Sequence, residues 1–444
     1  MVRNEFRLYN YEVYPSVVKS GEKTKITVSA IGKKYAFDEE AYRVRFVPYE
    51  YSTVDHYKDD FKVNAARRAY DGYDEQIVVP VDGRLEVEYT FTREQEWTLV
   101  VNPADDEKYT MTFPLFSVYE DLYERFPYVG DFHTHSADSP DAKTEAGNLA
   151  AEYRKAGFDF MALTDHERFY PSEELIETFK DAPIDFTIFR GEEIHTKPSF
   201  YVHILNIGGT KSINDLVNES PDYCIPEIEE YAKTLDIPEG LDTYDCAHRC
   251  WVSEKIRECG GMSVIAHPYW RLFNEYHMNN DVLKWLLENG KFDAMELTSG
   301  IGVAENNMQT AFYNEMRANG VDIPVIGVSD CHGPERNMCF KWGKTMLFAK
   351  GDKLEFDNMK EAVTNYYSVA IASEEWETPR VYGHYRMVRY ALFLLNHYCP
   401  RHDELCAEEG IAMKNYFIGK EGAKEDLQRL KGRTRKYAEK FMRG

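Results

Sequence analysis

DFHTHSADSPDAK, residues 131–143, sets two histidines one residue apart and follows them with two aspartates and a proline. In an extended segment residues i and i+2 share a face, so His133 and His135 point the same way. Two imidazoles converging on one point suit a metal ion. A strand end carrying two partly exposed histidines would read the same, so the stretch has to be weighed with its surroundings.

From about residue 125 apolar strands alternate with helical segments, the signature of an α/β domain with a mainly parallel sheet. Seven strand-like runs are visible: YVGDFHTH, DFMALTDHE, FTIFRGEEI, SFYVHILNI, MSVIAHP, DAMELTSG and VIGVSDCH. Helical runs such as EAGNLAAEYRKAG (145–157) and DVLKWLLENG (281–290) separate most of them. Six of the seven carry a His, Asp or Glu at or just past the carboxyl end; SFYVHILNI, with its histidine in mid-strand, is the exception. In an α/β barrel the active site forms where the strands end. Core packing alone does not account for so many candidate ligands on one rim.

The flanks differ. Residues 1–122 alternate apolar and polar residues in short runs (TKITVSAIG, YRVRFVPYEY, GRLEVEYTF, EWTLVVNP), which predicts an immunoglobulin-like β-sandwich with a binding or packing role. The barrel is expected over 126–375, with an insertion at about 208–247 near the rim that would serve as a lid or specificity element. Residues 376–444 turn helical, and the Lys/Arg-rich stretch after Lys420 reads as a solvated helix face.

Composition sets limits on function. A hydrophobic share of 43% with 14% aromatics is ample for packed cores, and the net charge is −23. So acidic a chain is expected to bind neither nucleic acid nor an anionic membrane, and no basic groove-lining stretch contradicts that. No signal peptide and no run of about eighteen apolar residues is evident. The eight cysteines all follow residue 223. Cys246 and Cys250 are spaced four apart but lack a CxxC form with a partner pair, so reduced thiols in a cytoplasmic protein are expected.

In order, the polar strand ends are His133 and His135, Asp141, His166 in LTDH, Glu193 in GEEI, His203 in VHIL, His267 in IAHP, and Asp330 with His332 in SDCH. The series HxH, TDH, GxE, HIL, AHP, SDxH resembles the PHP (polymerase and histidinol phosphatase) superfamily over residues 128 to about 350. With the flanking sandwich and helices it is similar to the CehA/McbA-type metallohydrolase branch. The resemblance implies a distorted (β/α)7 barrel holding two or three metal ions. It implies that His133, His135, Glu193 and Asp330 surround one ion. Glu193 would bridge to a second with His203 and His267, while Asp141, His166 and His332 hold a third. Asp138 competes with Asp141, and Glu192 with Glu193.

The residue types agree with that reading. Six imidazoles and three carboxylates suit Zn²⁺, Mn²⁺ or Fe²⁺ better than Ca²⁺ or Mg²⁺. Three divalent ions against three carboxylates leave about +3 by formal count, which would draw a phosphate into an acidic protein. The nucleophile expected is a metal-bound hydroxide. Asp165 could orient a ligand or take the water's proton, or simply cap a strand end. Arg168 and Arg271 could clamp a substrate phosphate, or could be surface arginines. Glu296, in AMELTSG, would support a ligand from behind, and His195 would be a bystander. His56, His248, His277, His384, His397 and His402 are expected to be ordinary histidines.

The leading expectation is therefore a metal-dependent phosphoesterase acting on a small phosphorylated molecule. Hydrolysis of a carboxylic ester, carbamate or amide on the same site is the alternative. A non-catalytic, metal-stabilised binding protein is the alternative of another class.

Overall fold

The alternation in GRLEVEYTF is realised literally: Leu85 and Val87 are buried, while Glu86 and Glu88 face solvent and pair with Lys25 and Lys23 on the neighbouring strand. The computed structural model describes residues 10–50, 73–105, 110–195, 202–334, 343–373 and 377–444. His56 and Cys339 lie outside the described residues. The chain divides into two compact units, Met1–Phe126 with Phe393–Tyr398 and Arg435–Gly444, and Pro127–Leu392 with Cys399–Thr434.

In the first unit, β1 (Tyr11–Tyr14), β3 (Lys23–Ala30) and β6 (Arg84–Thr90) form one sheet. A second sheet runs β2 (Val17–Lys19), β8 (Met111–Val118), β7 (Gln95–Pro103), β4 (Tyr42–Pro48), β5 (Glu75–Val78). Val28 and Val87 from the first and Val44, Leu99 and Leu115 from the second share one core, so the sheets pack face to face. The final helix, Arg433–Arg443, was expected to show a solvated basic face. Instead Arg435 and Arg443 lay their guanidinium groups over the Phe126 ring at 3.7 and 4.4 Å.

The second unit is a mixed α/β fold built on two sheets. One runs β11 (Thr187–Phe189), β10 (Phe160–Ala162), β9 (Arg125–Asp131), β19 (Gly343–Lys350), β20 (Ser368–Ala372), β21 (Arg380–Tyr382). The other runs β12 (Gly191–His195), β13 (His203–Ile207), β14 (Met262–Ile265), β17 (Ala294–Thr298), β18 (Val325–Gly327); β15 (Arg271–Leu272) and β16 (Glu275–Tyr276) form a small separate hairpin. Phe132, Phe160 and Leu347 from one sheet meet Leu205, Val264 and Ile326 from the other in a single buried cluster.

A complete (β/α)7 ring is not shown among the described residues, whose strands fall into these two sheets. FTIFRGEEI breaks at Arg190 into β11 and β12, which belong to different sheets. β12, β13 and β14 then pair antiparallel, whereas β9–β10–β11 and β14–β17–β18 are parallel. The link from His195 to His203 is too short for the dozen or more residues a parallel crossover needs.

The 208–247 stretch supplies the helices Ile213–Glu219 and Pro221–Ala232 and the start of Thr243–Glu258. Ile213, Val217, Cys224, Ile228, Cys246 and Cys250 are buried in the same cluster as Ile204 and Ile265, so this segment packs under the sheet. Cys246 and Cys250 act there as small apolar residues; the cysteines of the described residues are free. The helix Cys399–Phe417 lies against the helix Ala146–Lys155, where a Cβ on Gly410 would sit 2.3 Å from the Lys155 nitrogen. The buried Arg154 bridges the two through Glu409. No helix among the described residues is long and apolar enough to cross a membrane.

Candidate metal centre

Three segments that follow strand ends lie beside Glu193 of β12. Asp131, the last residue of β9, accepts hydrogen bonds from the N–H of His133 (3.0 Å), the N–H of Ser329 (3.2 Å) and the Tyr153 hydroxyl (3.0 Å). One buried carboxylate thus ties the HxH segment to the one carrying Asp330. Thr134 pairs with Cys331 in an isolated parallel bridge, and its N–H donates to Thr164 Oγ1 at 3.0 Å. A second isolated bridge joins His166 to Glu193. These links hold residues 133–135, 164–166, 193 and 330–332 in register.

Glu193 is the focus. Its Oε1 lies 2.7 Å from His203 Nδ1 and 3.2 Å from His267 Nε2. Its Oε2 lies 2.9 Å from His166 Nδ1, 3.1 Å from His133 Nε2 and 3.4 Å from His135 Nε2. Asp330 Oδ1 is 3.2 Å from His135 Nε2 and 3.4 Å from His133 Nε2. Asp141 Oδ2 is 3.0 Å from His332 Nε2 and 3.5 Å from His166 Nε2. All nine histidines and carboxylates singled out in the sequence therefore meet in one place.

Donor atoms about 2.0–2.1 Å from a shared zinc-sized ion stand roughly 3.0–3.4 Å apart, much the spacing seen here. His135 Nε2, His166 Nδ1, His203 Nδ1 and Asp330 Oδ1 are buried without a well-formed hydrogen bond despite their close neighbours. Native proteins leave few such atoms unsatisfied. Four overlapping triads, His135/His166/His332, His133/His135/Glu193, His133/His267/Asp330 and His166/Glu193/His203, each bring their donor atoms within 4.8 Å of one another. The residues fit a centre of more than one ion.

Burial and charge set the electrostatics. Burial alone would raise the Glu193 carboxyl, yet the facing His203, His166 and His133 hold it well below the usual carboxylate range. Burial likewise opposes ionisation of Asp330, and His133 with His135 and His267 outweighs it. The imidazoles split. Burial and the neighbouring His166 pull His135 down to about 3, and burial pulls His203 down to about 4. His166 goes up to about 10, burial being outweighed by Glu193 and Asp141. The buried acids draw positive charge to this point.

Orientation comes from behind. Glu296 Oε1 accepts from His133 Nδ1–H at 2.7 Å, and Oε2 accepts from the backbone N–H of His267 at 2.8 Å. His332 donates Nδ1–H to the Asp330 carbonyl at 2.9 Å. In both rings the bonded Nδ1 leaves Nε2 as the free lone pair facing the cluster. Asp330 and Glu167 hold φ of 49° and 60°, backbone strain of the kind that collects at functional sites.

The structure also separates the competing residues. Adjacent residues on a strand face opposite ways. Glu192 accordingly turns from the cluster and accepts hydrogen bonds from Asn206, Ser212, Ile213 and Asn214. Asp138 accepts from Tyr170 at 3.0 Å, not from the cluster. Asp165 accepts from the Ser136 N–H and hydroxyl at 2.6 and 2.7 Å, bracing the loop after HxH, and burial raises it to about 6. Arg168 is exposed and donates to the Asp138 carbonyl. Arg271, 56% exposed, faces Glu305 at 3.9 Å. Neither arginine is brought into the cluster. Two histidines set aside in the sequence do come close: His277 accepts from the His203 N–H at 3.4 Å, and the His195 ring lies 4.8 Å from that of His203. His195 was discoverable by its i+2 relation to Glu193. His277 arrives beyond the β15–β16 hairpin, and no spacing rule reveals that.

No family model matches the chain, and no curated protein does. Among solved structures, a candidate metal-dependent phosphoesterase from Bifidobacterium adolescentis overlaps 52% of this chain and 94% of its own, at 18% identity and a TM-score of 0.35. An amidohydrolase from Chromobacterium violaceum, with bound sulfate and no metal, overlaps 47% and 88% at 17% identity and a TM-score of 0.32. Likenesses this weak decide nothing about activity.

Proposed function

We propose that this chain is a PHP-type metal-dependent hydrolase of a small phosphorylated molecule. The ligands of two or three Zn, Mn or Fe ions would be His133, His135, Asp141, His166, Glu193, His203, His267, Asp330 and His332. One observation carries the reading: a fully buried carboxylate, Glu193, has five imidazole nitrogens within 2.7–3.4 Å. A packing role needs no such convergence of imidazoles: the neighbouring buried Glu192 is satisfied by amide, hydroxyl and backbone donors instead.

When bound, such ions acidify water and neutralise charge on a transferring phosphoryl group. The chain's own residues do the rest. Glu296 and the Asp330 carbonyl hold two imidazoles in the orientation a ligand needs. Asp165 fixes the loop that carries Asp141 toward His166 and His332 through its bonds to Ser136. Asp131 keeps the HxH segment and the Asp330 segment a constant distance apart.

The positions of Arg168 and Arg271 favour a second reading, hydrolysis of a carboxylic ester, carbamate or amide. A trigonal carbonyl needs less cationic help than a phosphate dianion, and these two guanidinium groups stand away from the cluster. The test is elemental analysis of purified protein with a screen of phosphate monoesters, diesters and carboxylic esters under added Mn²⁺, Zn²⁺ or Fe²⁺. Two or three equivalents of transition metal and turnover of a phosphate ester are expected. Turnover confined to carboxylic esters selects the second reading. Well under one equivalent after reconstitution ends both.

A further inference from the structure

A cavity of about 240 Å³ lies where β17 runs into the helix Val303–Ala318, against the ends of β20 and β21. Thr298, Ser299, Gly302, Asn307, Arg380 and Tyr382 are among the residues that line it. It is separate from the histidine cluster but close to it. A Cβ on Gly300, in its wall, would lie 1.9 Å from the Ser329 carbonyl oxygen and 3.5 Å from Asp330 Cβ. Only glycine allows so near an approach between the wall and the Asp330 segment.

Three features give the cavity a chemistry. Thr298 Oγ1 and Ser299 Oγ are buried hydroxyl oxygens without a hydrogen-bond partner, in residues only 2% and 7% exposed. Ser299 is otherwise fully engaged: its N–H donates to Asn306 Oδ1 and its carbonyl accepts from Asn306 Nδ2, both at 2.9 Å. That clamp fixes the loop and leaves the hydroxyl uncommitted, one bond rotation from any group beside it. Second, the sixteen-residue helix begins at Gly302 with no side-chain cap, so its first-turn N–H groups add donors at this end. Third, Arg380 is the one charged residue among the described residues that line the cavity. Two acids of the described residues stand just outside that lining. Glu377 is 3.4 Å from Arg380, and Glu305 folds back toward Gly302.

We propose that this cavity binds a small organic oxyanion, a molecule of metabolite size whose phosphate or carboxylate group is held by Arg380, the Ser299 and Thr298 hydroxyls and the helix N-terminus. The volume exceeds what a bare oxyanion fills, which leaves room for a short carbon skeleton beside Tyr382. The proposal does not depend on the metal reading, because none of the cluster's ligands lines the cavity.

The test is calorimetric titration of the full chain with glycerol 3-phosphate in the presence of a chelator. Saturable binding is expected, weakened at least about tenfold by Arg380→Gln and by Thr298→Val with Ser299→Ala, and unchanged by His332→Ala. Absence of saturable binding overturns the proposal. So does binding that survives both cavity variants, or binding lost in His332→Ala alone, which would place the anion at the histidines. A second readout guards against misfolding. Removing an unpaired buried hydroxyl should leave the ligand-free melting temperature of Ser299→Ala at or above the parent's. A clear fall would mark the hydroxyl as structural and overturn its assigned role.

Discussion

Glu296→Gln keeps the shape of a buried side chain and removes its charge, and the geometry fixes what that costs. Glu296 accepts two hydrogen bonds on separate oxygens, from His133 Nδ1–H at 2.7 Å and from the His267 N–H at 2.8 Å. Glutamine offers one carbonyl oxygen and one NH₂, so one of those donors must face another donor. A hydrogen bond to an ionised acceptor is worth about 1.5–3 kcal/mol. At 1.4 kcal/mol per decade, losing one weakens whatever His133 and His267 hold by roughly 10- to 150-fold. Loss of a group that orients a metal-binding histidine typically costs about 10- to 100-fold, which agrees. The assay is competition for Zn²⁺ against a chromogenic chelator, with circular dichroism confirming a native fold. A Kd raised at least about tenfold is expected. An affinity within about twofold of the parent's, in a folded protein, would refute the reasoning. It would mean that Glu296 does not set these imidazoles or that they hold no ion.

His133→Ala and Asp330→Ala should each abolish hydrolysis while far-ultraviolet dichroism stays native; retained turnover in both would place the chemistry elsewhere. Arg154→Met removes the partner of Glu409 (2.6 Å) and Asp159 (3.0 Å) in a fully buried network, which should cost about 3–5 kcal/mol in denaturant unfolding. A loss under about 1 kcal/mol would show the network to be dispensable. His248 is buried in the helix Thr243–Glu258, and burial, then the adjacent Arg249, pulls its imidazole down to about 4. Because the folded value lies below the unfolded 6.5, the unfolded state takes up the proton first as pH falls. Stability should therefore drop by roughly 3 kcal/mol between about pH 6.5 and 4. His248→Gln should flatten that limb in pH-dependent unfolding; an unchanged slope would exclude His248 as its source.

How much of the site could be read in the chain varies residue by residue. His133 and His135 obey the i, i+2 rule although β9 ends at Asp131, because Thr134 stays extended through its bridge to Cys331. The GxE spacing favours Glu193 over Glu192 without excluding the latter. The alternation of β12 separates them, and which face is inward depends on the partner strand β13. Arg168 and Arg271 show the limit of proximity in sequence. Both are near ligands along the chain, yet one caps a loop carbonyl and the other sits on a hairpin strand. The split of these strands into two sheets was not legible for a similar reason. Strand existence follows from local apolar pattern, but whether β12 joins β11 or β13 depends on the length and path of a connection. His402 and Glu409, in a tail that read as separate helices, turn out to face Asp159 and Arg154 from more than two hundred residues away.

The two sheets of the second unit explain why the cluster stands where it does. Parallel strands end together, and the polar groups at their carboxyl ends need partners once the ladder stops. Here the last backbone links between the sheets are the two isolated bridges, Thr134 to Cys331 and His166 to Glu193. Two of those four residues, Thr134 and Cys331, lie between cluster residues in the chain, and the other two, His166 and Glu193, belong to the cluster. Below this seam the sheets are held by apolar contact, as in Phe132, Phe160, Leu205 and Ile326. At the seam itself apolar contact gives way to buried carboxylates and imidazoles. Charge placed there without compensation would push the sheets apart, since burial penalises every ionised group it encloses. The imidazoles facing Glu193 from both sheets, His133 and His166 on one side and His203 and His267 on the other, turn that liability into attraction across the seam. The arrangement that suits cation binding is therefore also what joins the two halves of the fold at this rim.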